Sequence, residues 1–249
     1  MNYKSVIYLE LYENIQESYE LPHFIEHTVT ENIQTSIPLT IYTSWHTRSV
    51  PKDMYHTVMN NIKMHPEFDY YIFNEHECRE FITTHFTKDV LDTYDKLKPH
   101  AYKSDLWRYC VMYECGGIYM DIKFAIDTSL KDIIRNKTNV YVKDLLFDTH
   151  GYVLNGLIIQ APKNPVMKSC IDEIVINVNN NYYGEVCLDP TGPGLVGKVV
   201  KQYDSPFICY INNHNHIMTY YNTYRVEQSN NTNLPHYCEL WENKNIYNS

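Results

Sequence analysis

Apolar and polar positions between residues 101 and 124 change period in a way that predicts a helix, a turn and a strand. Leu106, Cys110 and Tyr113 recur at helical spacing, which predicts an amphipathic helix. The glycine pair at 116–117 ends it, because a left-handed helix cap favours a residue without Cβ. Residues 118–124 then alternate as a strand does, so positions 119, 121 and 123 are predicted to share one face.

From residue 37 onward, strand-like and helix-like segments alternate along the chain. This alternation predicts βαβ units, and hence an α/β fold with a Rossmann-type, mostly parallel sheet flanked by helices. Residues 37–249 are predicted to form a single domain, and residues 1–36 an N-terminal extension docked on it. The predicted strands are 39–45, 70–73, 140–146 and 153–160, and the predicted helices are 53–64, 75–85 and 164–179.

Five side chains of the helix–turn–strand unit are predicted to converge near the end of the strand. Asp105 and Arg108 are three residues apart and therefore neighbours on one helix face, whereas Tyr119, Asp121 and Lys123 share the strand face. Each has an ordinary explanation, since an exposed ion pair contributes less than about 1 kcal/mol and a strand face can be solvated. Together they indicate a ligand site at the carboxyl end of a strand, where α/β sheets bind ligands.

Residues 105–123 resemble the sugar-binding core of the DXD glycosyltransferases. That family includes yeast initiating α-1,6-mannosyltransferases, capsular polysaccharide transferases and, more distantly, the glucosylating domains of clostridial toxins. Its members carry Asp-x-x-Arg-Tyr and then Gly-Gly-x-Tyr-x-Asp-x-Asp, which DLWRY (105–109) and GGIYMDIK (116–123) match in order and spacing. Lys123 departs from the pattern, because it stands where the second Asp of the motif should be. Weaker matches, at 36–51, 65–77, 153–167, 189–194 and 236–241, extend the likeness over roughly residues 36–245.

The resemblance implies a GT-A-like fold and a hexosyltransferase that uses a UDP- or GDP-sugar, with a glycan or glycoprotein as acceptor. Members of this type mostly retain the anomeric configuration. By resemblance, Asp105 and Arg108 bind the hydroxyls of the donor sugar, and Asp121 contacts the ribose or a metal. The resemblance also implies that Trp45 stacks on the base and that Tyr119 contacts the donor. Asn155 would bond the sugar or the diphosphate, and Thr191 and Gly192 would shape the sugar pocket. His236 and Trp241 would close over the phosphates.

Lys123 raises the question of whether this chain binds the divalent metal ion of the family. In relatives with an intact motif, the carboxylates hold a divalent cation such as Mn²⁺ or Mg²⁺ on the diphosphate. An ammonium group cannot ligate a cation and repels one at close range. Either Lys123 itself neutralises the diphosphate, or Asp121 and His236 hold a metal while Lys123 points elsewhere. A third alternative is a non-catalytic protein that binds nucleotide sugars or carbohydrates through a degenerate site. The motif residues Asp105, Arg108, Tyr119 and Asp121 are all present, and together they favour an enzyme.

Composition limits the class of partner. The 249 residues are enough for one sizeable core, and the net charge of −9 makes nucleic acid an unexpected partner. The chain has 24 Tyr residues. They fit either an AT-rich genome, such as that of a giant virus or a protist, or the aromatic platforms of carbohydrate sites. We favour the first explanation for most of them.

Cysteine usage and hydropathy bear on the cellular compartment. Seven cysteines, at 78, 110, 115, 170, 187, 209 and 238, form neither a CxxC pair nor a zinc spacing. This pattern predicts a reduced, intracellular protein with mostly packed thiols. No stretch approaches the roughly 18 apolar residues of a membrane span, and residues 1–20 are too polar for a signal peptide. We therefore expect a soluble cytoplasmic protein, unlike the Golgi members of the family, which carry an N-terminal anchor.

Overall fold

The structure, a computed structural model, describes residues 18–30, 32–144, 151–203, 218–221, 223 and 235–248. The strands are β1 (Ser18–Glu20), β2 (Phe24–Ile25), β3 (Thr40–Ser44), β4 (Ser49–Pro51), β5 (Asp69–Phe73), β6 (Gly117–Met120), β7 (Phe124–Ile126), β8 (Asn139–Val140), β9 (Leu157–Gln160) and β10 (Met218–Tyr220). The helices are α1 (Lys52–Met64), α2 (Glu75–His85), α3 (Lys88–Lys96), α4 (His100–Cys115), α5 (Leu130–Ile134), α6 (Pro165–Asn179), α7 (Pro193–Val200) and α8 (Tyr237–Glu242).

A six-stranded sheet lies at the centre, in the order β2-β5-β3-β6-β9-β8. The predicted α/β class is confirmed, but the sheet is mixed rather than mostly parallel. The three central strands β5, β3 and β6 are parallel, whereas β2, β9 and β8 join antiparallel. Two parallel neighbours need a long crossover connection between them. Helix α1 lies in the connection from β3 to β5, and α2, α3 and α4 lie in the connection from β5 to β6. Between β6 and β9 the described residues contain β7, the five-residue α5 and β8, and β9 runs antiparallel to β6.

Alternation along the central strands sends side chains to two cores, one on each face of the sheet. Tyr119 and Ile158 pack under the helices α4 and α6, whereas Ile118 and Ile159 pack in the cluster on the opposite face. Helix α4 is buried almost all round from position 105 to 112, so the helix that was predicted to be amphipathic has no wide polar face there. Its neighbours explain this burial, because α2, α3 and α6 all contact it.

The turn after α4 is built as the glycine pair predicts. Gly116 has φ +65° and caps the helix, and a Cβ there would lie 2.5 Å from the backbone nitrogen of Pro162. The predicted strand 118–124 is wrong in its second half. Strand β6 ends at Met120, residues 121–123 form a turn closed by the bond from the Phe124 N–H to the Asp121 carbonyl (3.1 Å), and β7 follows.

Outside the central strands, the sequence predicts the long helices better than the edge strands. The helices predicted at 53–64, 75–85 and 164–179 correspond to α1, α2 and α6, but α3 was not predicted. The strands predicted at 140–146 and 153–160 are shorter, and 145–146 lie outside the described residues. The boundary between residues 1–36 and 37–249 stays a prediction. Within 1–36, β1 pairs with β4 and β2 pairs with β5.

Candidate active site

A cavity of about 340 Å³ opens where the parallel strands β3, β5 and β6 end. Ser44 and Trp45 line it at the end of β3, Glu75 follows β5 by two residues, and Asp121 follows β6 directly. Helix α4 forms one wall, and residues before and at the start of α7 form another. The carboxyl ends of parallel strands therefore meet at the cavity, where an α/β sheet binds ligands.

Asp105 on α4 is the centre of a buried hydrogen-bond network beside the cavity. Its Oδ1 accepts a bond from Asn155 Nδ2 (2.8 Å), and its Oδ2 accepts one from Thr191 Oγ1 (2.7 Å). Arg108 Nη2 lies 3.3 Å from Oδ1. Tyr109 extends the network, because its hydroxyl accepts from Asn155 (2.9 Å) and donates to the Thr191 carbonyl (2.8 Å). Burial raises the pKa of Asp105, against the opposing effects of Arg108 and the bond from Thr191. The carboxyl thus joins three distant chain segments.

Arg108 connects this network to the residues of the motif that follow β6. Its Nη1 donates to the Asn155 carbonyl (2.9 Å) and lies 3.2 Å from Asp121 Oδ1. The guanidinium also lies 4.5 Å from the centre of the Tyr119 ring, at cation–π distance. A planar, permanently charged group can bind oxygens on several sides at once, which a lysine ammonium cannot do in the same geometry.

Asp121 contacts Tyr119 and Lys123 in addition to Arg108. The Tyr119 hydroxyl donates to its Oδ1 (2.7 Å), and Lys123 Nζ lies 2.8 Å from its Oδ2. Burial acts to raise the pKa of Asp121, but Lys123, Arg108 and the Tyr119 bond outweigh it and hold the value at about 2. The glycine at 156 makes room for this carboxylate, since a Cβ there would lie 2.9 Å from Oδ2. Tyr119, Asp121 and Lys123 therefore converge through the turn, not through a shared strand face.

A divalent cation does not fit this set of donors. Both oxygens of Asp121 already face positive groups, because Arg108 lies at Oδ1 and Lys123 at Oδ2. His236, the other predicted ligand, lines the same cavity. Over the described ranges, no group of three His, Cys, Asp or Glu side chains is placed to share an ion. Among the described residues, the positive charge beside Asp121 comes from Arg108 and Lys123.

A second charged cluster lines the cavity near Trp45, and sequence reasoning did not single it out. Glu75 pairs with His100 and with Lys103 (2.8 Å). Burial acts to raise the pKa of Glu75, but the bonds from His100 and Lys103 outweigh it and hold the value at about 2. Burial and His100 lower the pKa of His46, whose ring centre lies 4.8 Å from that of Trp45. Glu75 follows the second parallel strand, and this position could have identified it as a site residue from the sequence.

The remaining predicted residues differ in where they lie relative to the cavity. Trp45, Tyr119, Asn155, Gly192 and His236 line the cavity with the catalytic candidates. Thr191 is fully buried behind the wall and reaches the site through Asp105. Trp241 lies outside the lining, since its indole packs on the core and donates to the Tyr183 carbonyl (2.6 Å).

One disulfide corrects the prediction of a reduced protein with mostly packed thiols. Cys187 and Cys238 are bonded, with Cα atoms 5.2 Å apart, although they are 51 positions apart in sequence. Cys187 lines the cavity, so the bond fastens the segment that carries His236 to the cavity wall. The predicted packing of thiols is confirmed for Cys78, Cys110 and Cys170, which are buried. Cys209 lies outside the described residues.

Comparisons with known proteins agree with the predicted fold and with the family resemblance. The PaToxG glycosyltransferase has a similar solved structure, with a TM-score of 0.53, 16% sequence identity and coverage of 68% of this chain and 70% of that one. The fold is thus the predicted GT-A-like α/β fold. Residues 51–140 match the family described as "Glycosyltransferase sugar-binding region containing DXD motif". The resemblance to the DXD glycosyltransferases is confirmed.

Curated relatives match over parts of their length. Inositol phosphoceramide mannosyltransferase 3 of Schizosaccharomyces pombe is 28% identical over 108 residues, which cover 43% of this chain and 30% of the relative. An uncharacterized glycosyltransferase of Acanthamoeba polyphaga mimivirus is 26% identical over 132 residues, or 53% and 52% of the two chains. The chain therefore spans about half or less of these relatives. None of the helices within the described residues is long and apolar enough to cross a membrane.

Proposed function

We propose that this chain is a glycosyltransferase that moves a hexose from a nucleoside diphosphate sugar to a glycan or protein acceptor, with retention of anomeric configuration. The observation that carries the proposal is the convergence of Arg108, Asp121 and Lys123 with the Asp105–Asn155 network in one cavity at the ends of the parallel strands. The names of the relatives, a mannosyltransferase and a glycosyltransferase, support glycosyl transfer in general. We further propose that residues 37–249 form the transferase domain and residues 1–36 a docked extension.

Charge at the site supports the assignment of the diphosphate end. Cleavage of the bond between the anomeric carbon and the diphosphate leaves negative charge on the leaving group, which preorganised positive groups stabilise. Lys123 and Arg108 lie on opposite oxygens of Asp121, so the carboxylate fixes both cations in place. We assign Lys123 the part that a divalent cation has in relatives with an intact motif. Arg108 is assigned to the donor sugar and its phosphate together, because its guanidinium can donate in several directions.

The rest of the cavity then divides between sugar and nucleoside. Asn155 and Gly192, beside the Asp105 network, are assigned to the donor sugar. Trp45 and the Glu75 cluster are assigned to the nucleoside. Along α4, position 100 precedes position 108 by eight residues, or roughly 12 Å of helix axis. This separation is comparable to the reach of a nucleoside diphosphate, which supports one donor lying along the helix.

The test is hydrolysis of the donor, since transferases slowly transfer sugar to water. The protein is incubated with UDP-glucose, UDP-galactose, UDP-N-acetylglucosamine, GDP-mannose and GDP-fucose, and the released UDP or GDP is measured. We expect release from at least one donor and a loss of at least a hundredfold in Arg108→Lys. The matched control is Arg79→Lys, because Arg79 is an exposed arginine that pairs with Asp95 outside the cavity. Nucleotide binding without release from any donor would instead support a non-catalytic binding protein.

A further inference from the structure

An exposed tyrosine stands at the rim of the cavity, beside the residues assigned to the diphosphate. Tyr220 is 41% exposed and lines the cavity. The other large hydrophobic side chains exposed in the described ranges, Phe24, Val29, Met64, Ile176 and Tyr182, do not line it. Scattered exposed apolar groups are ordinary on protein surfaces, but an aromatic ring at the opening of a polar cavity is a place for a ligand to stack.

The backbone holds this ring in a defined position. Strand β10 pairs antiparallel with β7, which places Tyr220 opposite Phe124. The two ring centres are 5.0 Å apart, and Lys123 Nζ lies 5.5 Å from each of them. The next residue, Tyr221, points the other way into a buried cluster, and its N–H donates to the Lys123 carbonyl (3.3 Å). Tyr220 is therefore fixed to the same turn that carries Asp121 and Lys123.

We propose that Tyr220 is the platform of an acceptor subsite that binds a pyranose ring. This inference rests on the proposed function, because it takes the neighbouring Lys123 and Asp121 as the donor end. A pyranose has an apolar face of C–H groups and a rim of hydroxyls. The exposed ring matches the apolar face, and the charged groups beside it match the hydroxyls. A sugar stacked there lies next to the donor diphosphate. The acceptor class is thus a carbohydrate, not an unglycosylated peptide.

The experiment measures glycoside binding by saturation-transfer NMR. The probes are methyl α-mannopyranoside and methyl α-glucopyranoside, each with UDP or GDP present, on wild type, Tyr220→Phe, Tyr220→Ala and the control Tyr182→Ala. Tyr182 is a similarly exposed tyrosine away from the cavity. Stacking of one ring face buries on the order of 50 Å² of apolar surface, which corresponds to about tenfold in affinity. We expect Tyr220→Ala to lose about tenfold for at least one glycoside, whereas Tyr220→Phe and Tyr182→Ala bind as wild type does.

Two outcomes overturn the inference. One is the absence of glycoside binding to wild type, and the other is equal binding by wild type and Tyr220→Ala. Thermal unfolding of each variant shows whether a loss of glycoside binding comes from misfolding. If Tyr220→Ala is misfolded, Tyr220→Leu replaces it, because leucine keeps an apolar group without a ring. Calorimetry of UDP and GDP on the same samples tests the proposed function separately. If the protein binds neither nucleotide but still binds a glycoside through Tyr220, the result would contradict the donor assignment. It would not contradict the role of Tyr220 as a sugar platform.

Discussion

Replacing Asp105 with alanine should destabilise the fold, because this carboxylate joins segments that are far apart in sequence. Asp105 is 7% exposed, and it accepts bonds from Asn155 (2.8 Å) and Thr191 (2.7 Å), 50 and 86 residues away. The truncation would leave these two buried donors without their acceptor and would remove one of the carboxylates beside Arg108. The sequence alone predicted that Asp105 faces a ligand, whereas the structure gives it a scaffold position as well.

The magnitude follows from the partners. A buried donor that loses its partner costs about 1–3 kcal/mol, and loss of one side of a buried ion pair costs about 3–5 kcal/mol when the remaining charge has no other partner. Arg108 retains Asp121 at 3.2 Å, so the ion-pair cost is reduced. We therefore expect Asp105→Ala to lower the free energy of unfolding by about 2–4 kcal/mol. Asp105→Asn, which keeps an acceptor oxygen, should lose about half as much.

Urea unfolding followed by tryptophan fluorescence measures this loss. Asp172→Ala is the matched control, since Asp172 pairs with Lys168 (2.6 Å) on an exposed helix face and should contribute about 0.5 kcal/mol or less. A double-mutant cycle with Thr191→Val isolates one bond and should give a coupling of about 1 kcal/mol. If Asp105→Ala lies within about 0.5 kcal/mol of wild type, the network does not hold the site together.

Two further predictions concern the nucleoside end of the cavity. Trp45→Ala should weaken UDP or GDP binding by about 1–3 kcal/mol, the range for one base stacked on one ring, and unchanged affinity in calorimetry would contradict the assignment. For Glu75, the folded pKa of about 2 lies below the ordinary 4.5, so its stabilisation is present above pH 4.5 and is lost as the pH falls toward 2. The destabilisation by Glu75→Gln in urea should therefore shrink by about 2 kcal/mol between pH 6 and pH 3, and a difference that is constant with pH would refute the ion-pair account.

Local chemistry made much of the fold and the motif predictable. Helical spacing before the glycine pair, and alternation after it, are properties of a few neighbouring residues, and α4, the cap and β6 follow them. The end of β6 was missed because a tertiary contact sets it. The Asp121 N–H donates to the Gly156 carbonyl (2.8 Å), after which the chain turns. No pattern within residues 118–124 shows that contact.

The parts of the site that escaped prediction depend on distant pairs. The bond from Thr191 to Asp105 spans 86 positions, and the disulfide between Cys187 and Cys238 spans 51. Neither spacing carries a sequence signal, because chain folding and not periodicity brings the partners together. The Glu75 cluster is similar, since Glu75 begins α2 just after β5, whereas His100 and Lys103 lie in the first turn of α4. The antiparallel outer strands likewise depend on how the chain returns to the sheet.

We propose that this cavity turns over a nucleotide sugar with Lys123 as the counter-charge of the diphosphate. This proposal is tested by donor hydrolysis with and without EDTA, on wild type, Lys123→Ala and Lys123→Asp. It predicts that wild-type activity is the same in EDTA and is lost in Lys123→Ala. It also predicts that Lys123→Asp, which restores the motif of the family, gains a response to Mn²⁺. Loss of wild-type activity in EDTA, with recovery on adding Mn²⁺, would contradict the proposal.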